Sequence, residues 1–228
     1  SVLRHRRRAF SKARLVMWQG SAPAGLDVFY PIFPDSDWIA RMVPLGLRTV
    51  QLRLKDADDA EVRRQIVQAR DVCQAHGCQL VVNDYWQAAL ELSCDYIHLG
   101  QEDLAVADVA AIKHAGARLG ISTHSDEELE LALSASPDYV ALGPVYETKL
   151  KVMKWAPQGL DRIGHWKKRI GSVSLVAIGG ITPERAPGVL NAGADSLAVI
   201  TDFITAPQPM TRISEWLELA KAWRNSDY

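Results

Sequence analysis

Short apolar segments alternate with amphipathic segments along most of the chain. The apolar segments are rich in Val, Ile, Leu and Tyr and nearly free of charge, which is typical of strands that are buried on both faces. We predict eight strands, at Val28–Ile32, Thr49–Leu54, Gln79–Val82, Tyr96–Leu99, Arg118–Ser122, Tyr139–Leu142, Ser174–Ile178 and Ser196–Ile200.

Between these strands lie segments whose apolar positions recur with helical spacing. We predict eight helices, at Ser36–Pro44, Asp59–His76, Trp86–Leu92, Val106–His114, Asp126–Ala135, Gln158–Lys168, Pro183–Asn191 and Thr211–Arg224. Strict alternation of eight strands with eight helices predicts an α/β protein, a single-domain (β/α)8 TIM barrel. An open doubly wound sheet is the alternative, but its first turn is usually rich in glycine, and Phe33-Pro34-Asp35 contains none.

Length and charge limit the domain organisation and the partners. The 228 residues suit one α/β domain. The sequence contains no run of eighteen apolar residues, so no membrane span is predicted. Residues 1–14 hold six Lys or Arg and no acid, so we interpret 1–20 as a basic, flexible N-terminal arm and 21–228 as the barrel. Past residue 14, 20 basic residues stand against 27 acidic ones, a balance of −7 that disfavours nucleic acid as a partner.

The cysteines predict a reducing compartment. There are three, Cys73, Cys78 and Cys94, and an odd, sparse set does not suit a disulfide framework. We therefore expect a cytoplasmic protein whose partners are small molecules, and the sequence leaves a homo-oligomer open.

Polar residues follow almost every predicted strand, where the working residues of a barrel lie. They are Gln51, Arg53, Lys55, Asn83, Asp84, Gln101, Asp103, Ser122, Thr123, His124, Thr148, Lys149, Lys151, Thr201 and Asp202, and the glycine pair Gly179-Gly180 follows the seventh strand. A barrel with no function beyond stability would not need polar residues at the same end of so many strands.

Gln51, Arg53 and Lys55 alternate with leucines in the predicted second strand, so all three should face the barrel interior. Two buried cations are costly unless an anion meets them. We expect that anion to be a diphosphate. A structural ion-pair network with Asp84 and Asp103 is the alternative.

Asp84 and Asp103 are hard oxygen ligands predicted at the ends of adjacent strands. Two carboxylates beside a diphosphate suit Mg²⁺, which is commonly held by one or two carboxylates together with substrate phosphate and water. Farther along, Gly179-Gly180 ends the seventh predicted strand, and the loops after strands seven and eight of a barrel often bind phosphate. Glycine there allows the backbone to approach an anion closely.

The histidines are less informative. We interpret His124 as a hydrogen-bonded positioning residue rather than a base, and His98 as a core residue. His76 and His114 are predicted at helix ends. No His-carboxylate pair is evident in the sequence.

From about Val28 to Pro207, the chain resembles the thiamine-phosphate synthase family. The resemblance is carried by VQLRLKD from Val50, VVNDYWQAAL from Val81, IHLGQEDL from Ile97, GISTH from Gly120, ALGPVYETKLK from Ala141, APQGL from Ala156, AIGGITPE from Ala177 and AGADSLAVI from Ala192. The order and spacing of these segments together make the signal specific.

The resemblance implies a transferase that joins an aminopyrimidine methyl diphosphate to a thiazole ethyl phosphate, giving thiamine phosphate and pyrophosphate. Several residues would hold the pyrimidine diphosphate, and Asp84 with Asp103 would bind Mg²⁺. The first group is Gln51, Arg53, Lys55, Asn83, Ser122 and Lys151. A second group, Thr148, Gly180, Ile200 and Thr201, would surround the thiazole phosphate. Arg53, Lys55, Ser122 and Lys151 would act in the chemical step.

Some positions depart from the family pattern. Leu150 stands where a threonine is usual, Arg185 where an asparagine is usual, and Thr201 where a serine is usual. The loop Glu147-Thr148 and the segment Thr182–Arg185 are also similar to thiazole tautomerases of the same fold. A tautomerase-type isomerase using His124, or a non-catalytic thiazole-phosphate-binding relative, is therefore the alternative.

Overall fold

Eight parallel strands form a closed barrel in the computed structural model, which describes residues 25–148 and 155–226. The strands pair in chain order, and β8 closes on β1 through the register Tyr30 with Ala198. Their bounds are β1 Phe29–Phe33, β2 Thr49–Leu52, β3 Gln79–Asn83, β4 Tyr96–Leu99, β5 Arg118–Thr123, β6 Tyr139–Leu142, β7 Ser174–Ile178 and β8 Ser196–Val199. The predicted (β/α)8 barrel is confirmed.

Helices cover the outside of the barrel between successive strands. They are α1 Ser36–Met42, α2 Asp59–His76, α3 Trp86–Glu91, α4 Gln101–Val106, α5 Val109–His114, α6 Asp126–Ser134, α7 Gly159–Ile170, α8 Ala186–Asn191, α9 Thr201–Ile204 and α10 Pro209–Asn225, with a short 3-10 turn at Val43–Leu45. Within the described ranges, no helix has both the length and the apolar character needed to cross a bilayer.

Local chemistry sets several helix boundaries. The side chain of Asp58 accepts a hydrogen bond from the Glu61 amide at the start of α2, and Ser125 does the same for Glu128 at the start of α6. Gly77 ends α2 in the left-handed conformation, with φ of 65°. His76 and His114 are the last residues of α2 and α5, as predicted.

Two apolar layers follow from the alternation of side chains along each strand. The larger layer lies between the strands and the helices and includes Ile66, Ile97 and Trp166. The smaller layer fills the barrel interior and includes Tyr30, Val81, Tyr96, Tyr139 and Val176. The interior is therefore packed, and the open space for ligands lies above it, at the carboxyl ends of the strands, hereafter the mouth.

Several predicted boundaries were wrong. The segment predicted as one helix from Val106 to His114 is two short helices, α4 and α5, and the first of them begins at Gln101. Pro183 lies in a turn before α8 rather than at its first position, and Pro187 lies in the first turn of the helix instead. A four-residue helix, α9, follows β8. Such short helices contain too few residues to show a helical period in sequence.

The predicted basic arm, residues 1–20, lies outside the described residues, as do Lys149, Leu150 and Lys151. All three cysteines are buried, and none forms a disulfide. This agrees with the interpretation that the three cysteines do not form a disulfide framework.

Candidate active site

The basic stretch after β2 does not run as predicted. The strand ends at Leu52 rather than Leu54, and beyond it only the Arg53 amide bonds back to β1, at the Phe33 carbonyl. Gln51 is buried in the barrel, Arg53 is half-buried and Lys55 is exposed. The inward alternation predicted for all three agrees with the burial of Gln51 and with Arg53, whose charge acts on the buried His98 and on Asp84, but it is wrong for the exposed Lys55. Both cations follow β2 at the mouth, where a soluble anion can reach them.

Two carboxyl groups meet at the mouth. Asp84 directly follows β3 and has φ of 68°, in the left-handed region that non-glycine residues seldom adopt. Its amide donates to the carbonyl of His98 at 3.0 Å, which ties it to the end of β4. Asp103 lies in the first turn of α4 and comes within hydrogen-bonding range of the Asp84 carboxyl group.

The electrostatics of this pair follow from its position. Burial, and then the neighbouring Asp103, raise the pKa of Asp84 above its usual range, although the charge of Arg53 and a hydrogen bond from Asn83 act in the opposite direction. Repulsion between two carboxylates that face each other would be relieved by a cation between them.

Asp84 and Asp103 suit a Mg²⁺ ion that takes its other ligands from substrate and water, and they do not by themselves form an all-protein metal site. In the part of the chain that the structure describes, no cluster of three or more His, Cys, Asp or Glu could hold a metal. Asp84 and Asp103 supply two hard oxygen donors at an open site, and a substrate diphosphate can supply others.

A chain of hydrogen bonds crosses the barrel interior beneath the mouth. The Gln51 amide nitrogen donates to the Tyr30 hydroxyl at 2.8 Å, and the Tyr30 and Tyr139 hydroxyls are 2.9 Å apart. The Tyr139 hydroxyl lies 2.6 Å from His98 Nδ1, and His98 Nε2 lies 2.7 Å from Ser122 Oγ. Gln51 and Ser122, two predicted substrate contacts, are thus joined through the core.

His98 is a buried core histidine, as predicted. Burial, and then the charge of Arg53, lower the pKa of His98 to about 3, so the ring is neutral at pH 7. Its ring stacks on Tyr139 with centroids 5.6 Å apart. The tyrosines Tyr30 and Tyr139 were not predicted to belong to the site, since aromatic residues in strands are usually core.

His124 lies at the same end of the barrel and is held as a positioning residue would be. Its Nδ1 is 2.7 Å from Glu128 Oε1, and its ring stacks on Trp155 with centroids 5.6 Å apart. The amide of Gln158 donates to its backbone carbonyl at 2.8 Å. The view that the chain lacks a His-carboxylate pair was therefore wrong. The spacing of four residues at a helix start could have revealed this pair.

The loops after β6 and β7 run side by side. The amides of Val145 and Tyr146 donate to the carbonyls of Ile178 and Gly179, at 2.9 and 3.0 Å. A Cβ at Gly180, where φ is 64°, would lie 2.6 Å from the Glu147 carbonyl oxygen, so this approach requires glycine.

Arg185 supports the same loop. It donates to the Gly180 carbonyl at 2.7 Å and lies over the Tyr146 ring, 4.2 Å from its centroid. Thr148 directly follows Glu147, the residue of the loop after β6 that borders Gly180. Ile200 and Thr201 follow β8, the strand that pairs with β7. The predicted phosphate contacts in the described ranges therefore share one side of the mouth.

The comparisons with known proteins converge on one family. The family model described as thiamine monophosphate synthase matches residues 32–203. A thiamine-phosphate synthase of Rhizobium etli is 56% identical over 200 residues, covering 88% of this chain and 98% of that protein. One of Cronobacter sakazakii is 46% identical over 191 residues, covering 84% of this chain and 91% of that protein.

Among solved structures, a thiamine phosphate pyrophosphorylase from Pyrococcus furiosus superimposes with a TM-score of 0.74. It is 24% identical, over 87% of this chain and 98% of that one, and it supports the fold alone. The likeness to tautomerases gains nothing from these matches, since each relative named here is described as a synthase or a pyrophosphorylase.

Proposed function

Because the chain belongs to the thiamine monophosphate synthase family, we propose that it joins an aminopyrimidine methyl diphosphate to a thiazole ethyl phosphate. The products are thiamine phosphate and pyrophosphate, which makes it a transferase. The observation that carries this proposal is the meeting of Asp84 and Asp103 at the mouth, beside Arg53. Two carboxylates and a cation at an open site together suit a metal-bound diphosphate.

In the proposed site, each side of the mouth binds one substrate. Gln51, Asn83 and Ser122 would hold the pyrimidine ring, and Arg53 and Lys55 its diphosphate. Lys151, outside the described residues, is proposed to join these cations. Thr148, Gly180, Ile200 and Thr201 would hold the thiazole phosphate on the other side.

The chemistry is an alkyl transfer. The bond between the methylene carbon and the diphosphate oxygen breaks, and its electron pair leaves with the diphosphate. The electron-rich aminopyrimidine carries the positive charge that develops on the methylene. The thiazole nitrogen then donates its lone pair to form the new C–N bond.

The residues of this chain contribute mainly charge and position. Arg53 and Lys55 stabilise the charge that grows on the leaving diphosphate, and Ser122 keeps the ring in line with the incoming nitrogen. Asp84 and Asp103 would hold Mg²⁺, which would supply further neutralisation of that charge. No proton needs to leave the reacting atoms, so His124 is proposed to shape the site and not to act as a base.

The cellular setting follows from the same proposal. Buried thiols and small phosphorylated substrates suit the cytoplasm, where we propose the protein acts. A homo-oligomer remains a prediction from the sequence.

Asp84→Ala tests this function most directly. Pyrophosphate release would be measured with both substrates, with each alone, and with Mg²⁺ or a chelator. We expect release from the wild-type protein only with both substrates and the metal, and at least a hundredfold less from Asp84→Ala, since both a ligand and a charge are lost.

Glu102→Ala is the matched control, because it removes an exposed carboxylate from the same turn of α4 as Asp103. It should release pyrophosphate at the wild-type rate. Release that continues in chelator, or no release from the wild-type protein with both substrates, would overturn the proposal.

A further inference from the structure

The hydrogen-bonded residues beneath the mouth are buried, except for Ser122 at one end, which is half-buried. Tyr30 and Tyr139 are 1% and 0% exposed, and Gln51 and His98 are also buried. A buried hydroxyl whose hydrogen finds no acceptor costs free energy, so the hydrogens of this chain are expected to be fully used. Each tyrosine has one hydrogen to donate, and this fixes the direction in which the chain can run.

The direction begins at Gln51. Its amide nitrogen donates to Tyr30, so the Tyr30 hydrogen must go to the Tyr139 oxygen. The Tyr139 hydrogen must then go to His98 Nδ1, which leaves His98 with its own proton on Nε2, directed at Ser122 Oγ. If His98 donated to Tyr139 instead, one tyrosine hydrogen would have no acceptor in the chain.

Gln51 and Ser122, at the two ends of this series of hydrogen bonds, are therefore coupled. Gln51 uses one amide hydrogen on Tyr30, and its second amide hydrogen and its carbonyl oxygen take part in none of these contacts. Ser122 receives a hydrogen bond from His98, so its own hydrogen is available to a ligand. If the Gln51 amide were turned over, every hydrogen bond would reverse, and Ser122 would have to give its hydrogen to His98.

We propose that Tyr30, Tyr139 and His98 are positioning residues that hold Gln51 as an acceptor and Ser122 as a donor toward the pyrimidine ring. An aminopyrimidine is the complement of that pair, because its exocyclic amine donates and its ring nitrogens accept. The corresponding oxopyrimidine carries a carbonyl and a ring N–H, which reverse the pattern. This series of hydrogen bonds thus selects the amino form of the substrate, an inference that rests on the function proposed above.

The shape of the barrel supports this role for Tyr139. A Cβ at Gly120, on the neighbouring strand β5, would overlap the Tyr139 ring. The ring also contacts Tyr30 edge-on, with centroids 6.0 Å apart. The Tyr139 hydroxyl is thus held in place between Tyr30 and His98 by packing as well as by hydrogen bonds.

Tyr139→Phe tests the inference, because it removes the middle hydroxyl and keeps the ring. The measurement is kcat/KM for the aminopyrimidine diphosphate and for the oxopyrimidine diphosphate, with thiazole phosphate saturating. We expect the preference for the amino form to fall about tenfold, the cost of one buried hydrogen bond, with KM for the thiazole phosphate unchanged.

Tyr96→Phe is the matched control. Tyr96 lies in the same interior cluster, 5.9 Å from the Tyr139 ring, but belongs to none of the four contacts described above. This variant should keep the wild-type preference. An unchanged preference in Tyr139→Phe, or an equal fall in both variants, would overturn the inference while leaving the synthase function intact. No turnover by the wild-type protein would overturn both.

The tautomer of His98 in the wild-type protein gives a second readout, and this wild-type measurement depends neither on activity nor on the folding of a variant. Long-range ¹H–¹⁵N NMR of the wild-type imidazoles should show His98 protonated on Nε2 and not on Nδ1. In Tyr139→Phe, signals of both tautomers are expected. A wild-type His98 protonated on Nδ1 would mean that the chain runs the other way and would overturn the inference.

Discussion

At the scale of single residues, Gly120 illustrates how a missing side chain can build a site. It lies on β5, where the sequence alone indicates only a weak position in a strand. In the structure, the Tyr139 ring occupies the space in front of it. The glycine is therefore a packing requirement of the hydrogen-bonded chain that connects Gln51 to Ser122.

Gly120→Ala should destabilise the protein by about 3 kcal/mol, because the added methyl group would force the Tyr139 ring or the strand to move. Urea denaturation followed by circular dichroism measures this change.

Gly164→Ala is its control, since Gly164 lies inside α7 and a Cβ there would meet nothing closer than 3.6 Å. That variant should be as stable as the wild type or up to about 1 kcal/mol more stable. Equal stability of the two variants would contradict the packing argument.

Asp84 shows how a single backbone conformation can position a residue of the site. Its left-handed conformation turns the chain immediately after β3 and directs the carboxyl group toward Asp103. The sequence identified the two aspartates as candidate ligands, but their meeting depends on where α4 begins. That start, at Gln101, was not predicted.

At the scale of elements, the loops after β6 and β7 act as one unit. Their paired backbones and the contact of Gly180 with Glu147 leave no room for a side chain at residue 180. This side of the mouth is where the thiazole phosphate is proposed to bind, so its geometry should control the affinity for that substrate.

Gly180→Ala should raise KM for the thiazole phosphate about tenfold or more, because displacement of the loop misplaces its phosphate contacts. KM for the pyrimidine diphosphate should change little. Steady-state kinetics with each substrate varied in turn provides the test.

Gly171→Ala separates the loop effect from backbone strain. Gly171 has nearly the same φ, 61° against 64°, yet apart from its own neighbours along the chain no atom lies within 4 Å of a Cβ placed there, and it follows α7 away from the mouth. It should lower stability without changing either KM. A rise in KM for the thiazole phosphate in both variants would sink the argument.

At the scale of the whole molecule, α10 secures the seam where the barrel closes. Trp216 from α10 stacks on Phe29 of β1, with centroids 5.1 Å apart and planes within 4°. Its indole nitrogen donates to Asp202, just after β8, at 2.7 Å, and Arg212 also bonds to Asp202. The Asp202 carboxylate thus links the last helix to the end of β8, and the Trp216 ring links the same helix to β1.

Asp202→Ala should lower the free energy of unfolding by about 2–3 kcal/mol, because it leaves the Trp216 N–H and the Arg212 guanidinium without their buried partner. The Asp202 side chain is only 6% exposed, so water cannot replace it easily. Chemical denaturation of the purified protein measures the loss.

Glu215→Ala removes another Arg212 partner, but one that is 52% exposed, and should change stability by no more than about 0.5 kcal/mol. Similar losses in both variants would show that the buried position of Asp202 is not what matters.

The sequence by itself determined the barrel, because buried parallel strands and covering helices leave a periodic record in the order of apolar residues. It also indicated Asp84, Asp103, Arg53 and Gly180, since the ends of strands converge in this fold. These are local or repeating properties of the chain, and a linear pattern can carry them.

The tertiary structure alone decided which groups meet. The hydrogen bonds from Gln51 to Ser122 pass through five strands, and no spacing in the sequence encodes that path. The exposed position of Lys55 likewise depends on where β2 leaves the sheet. Contacts between residues far apart in the chain are set by strand register and by packing inside the closed barrel, which a linear pattern does not record.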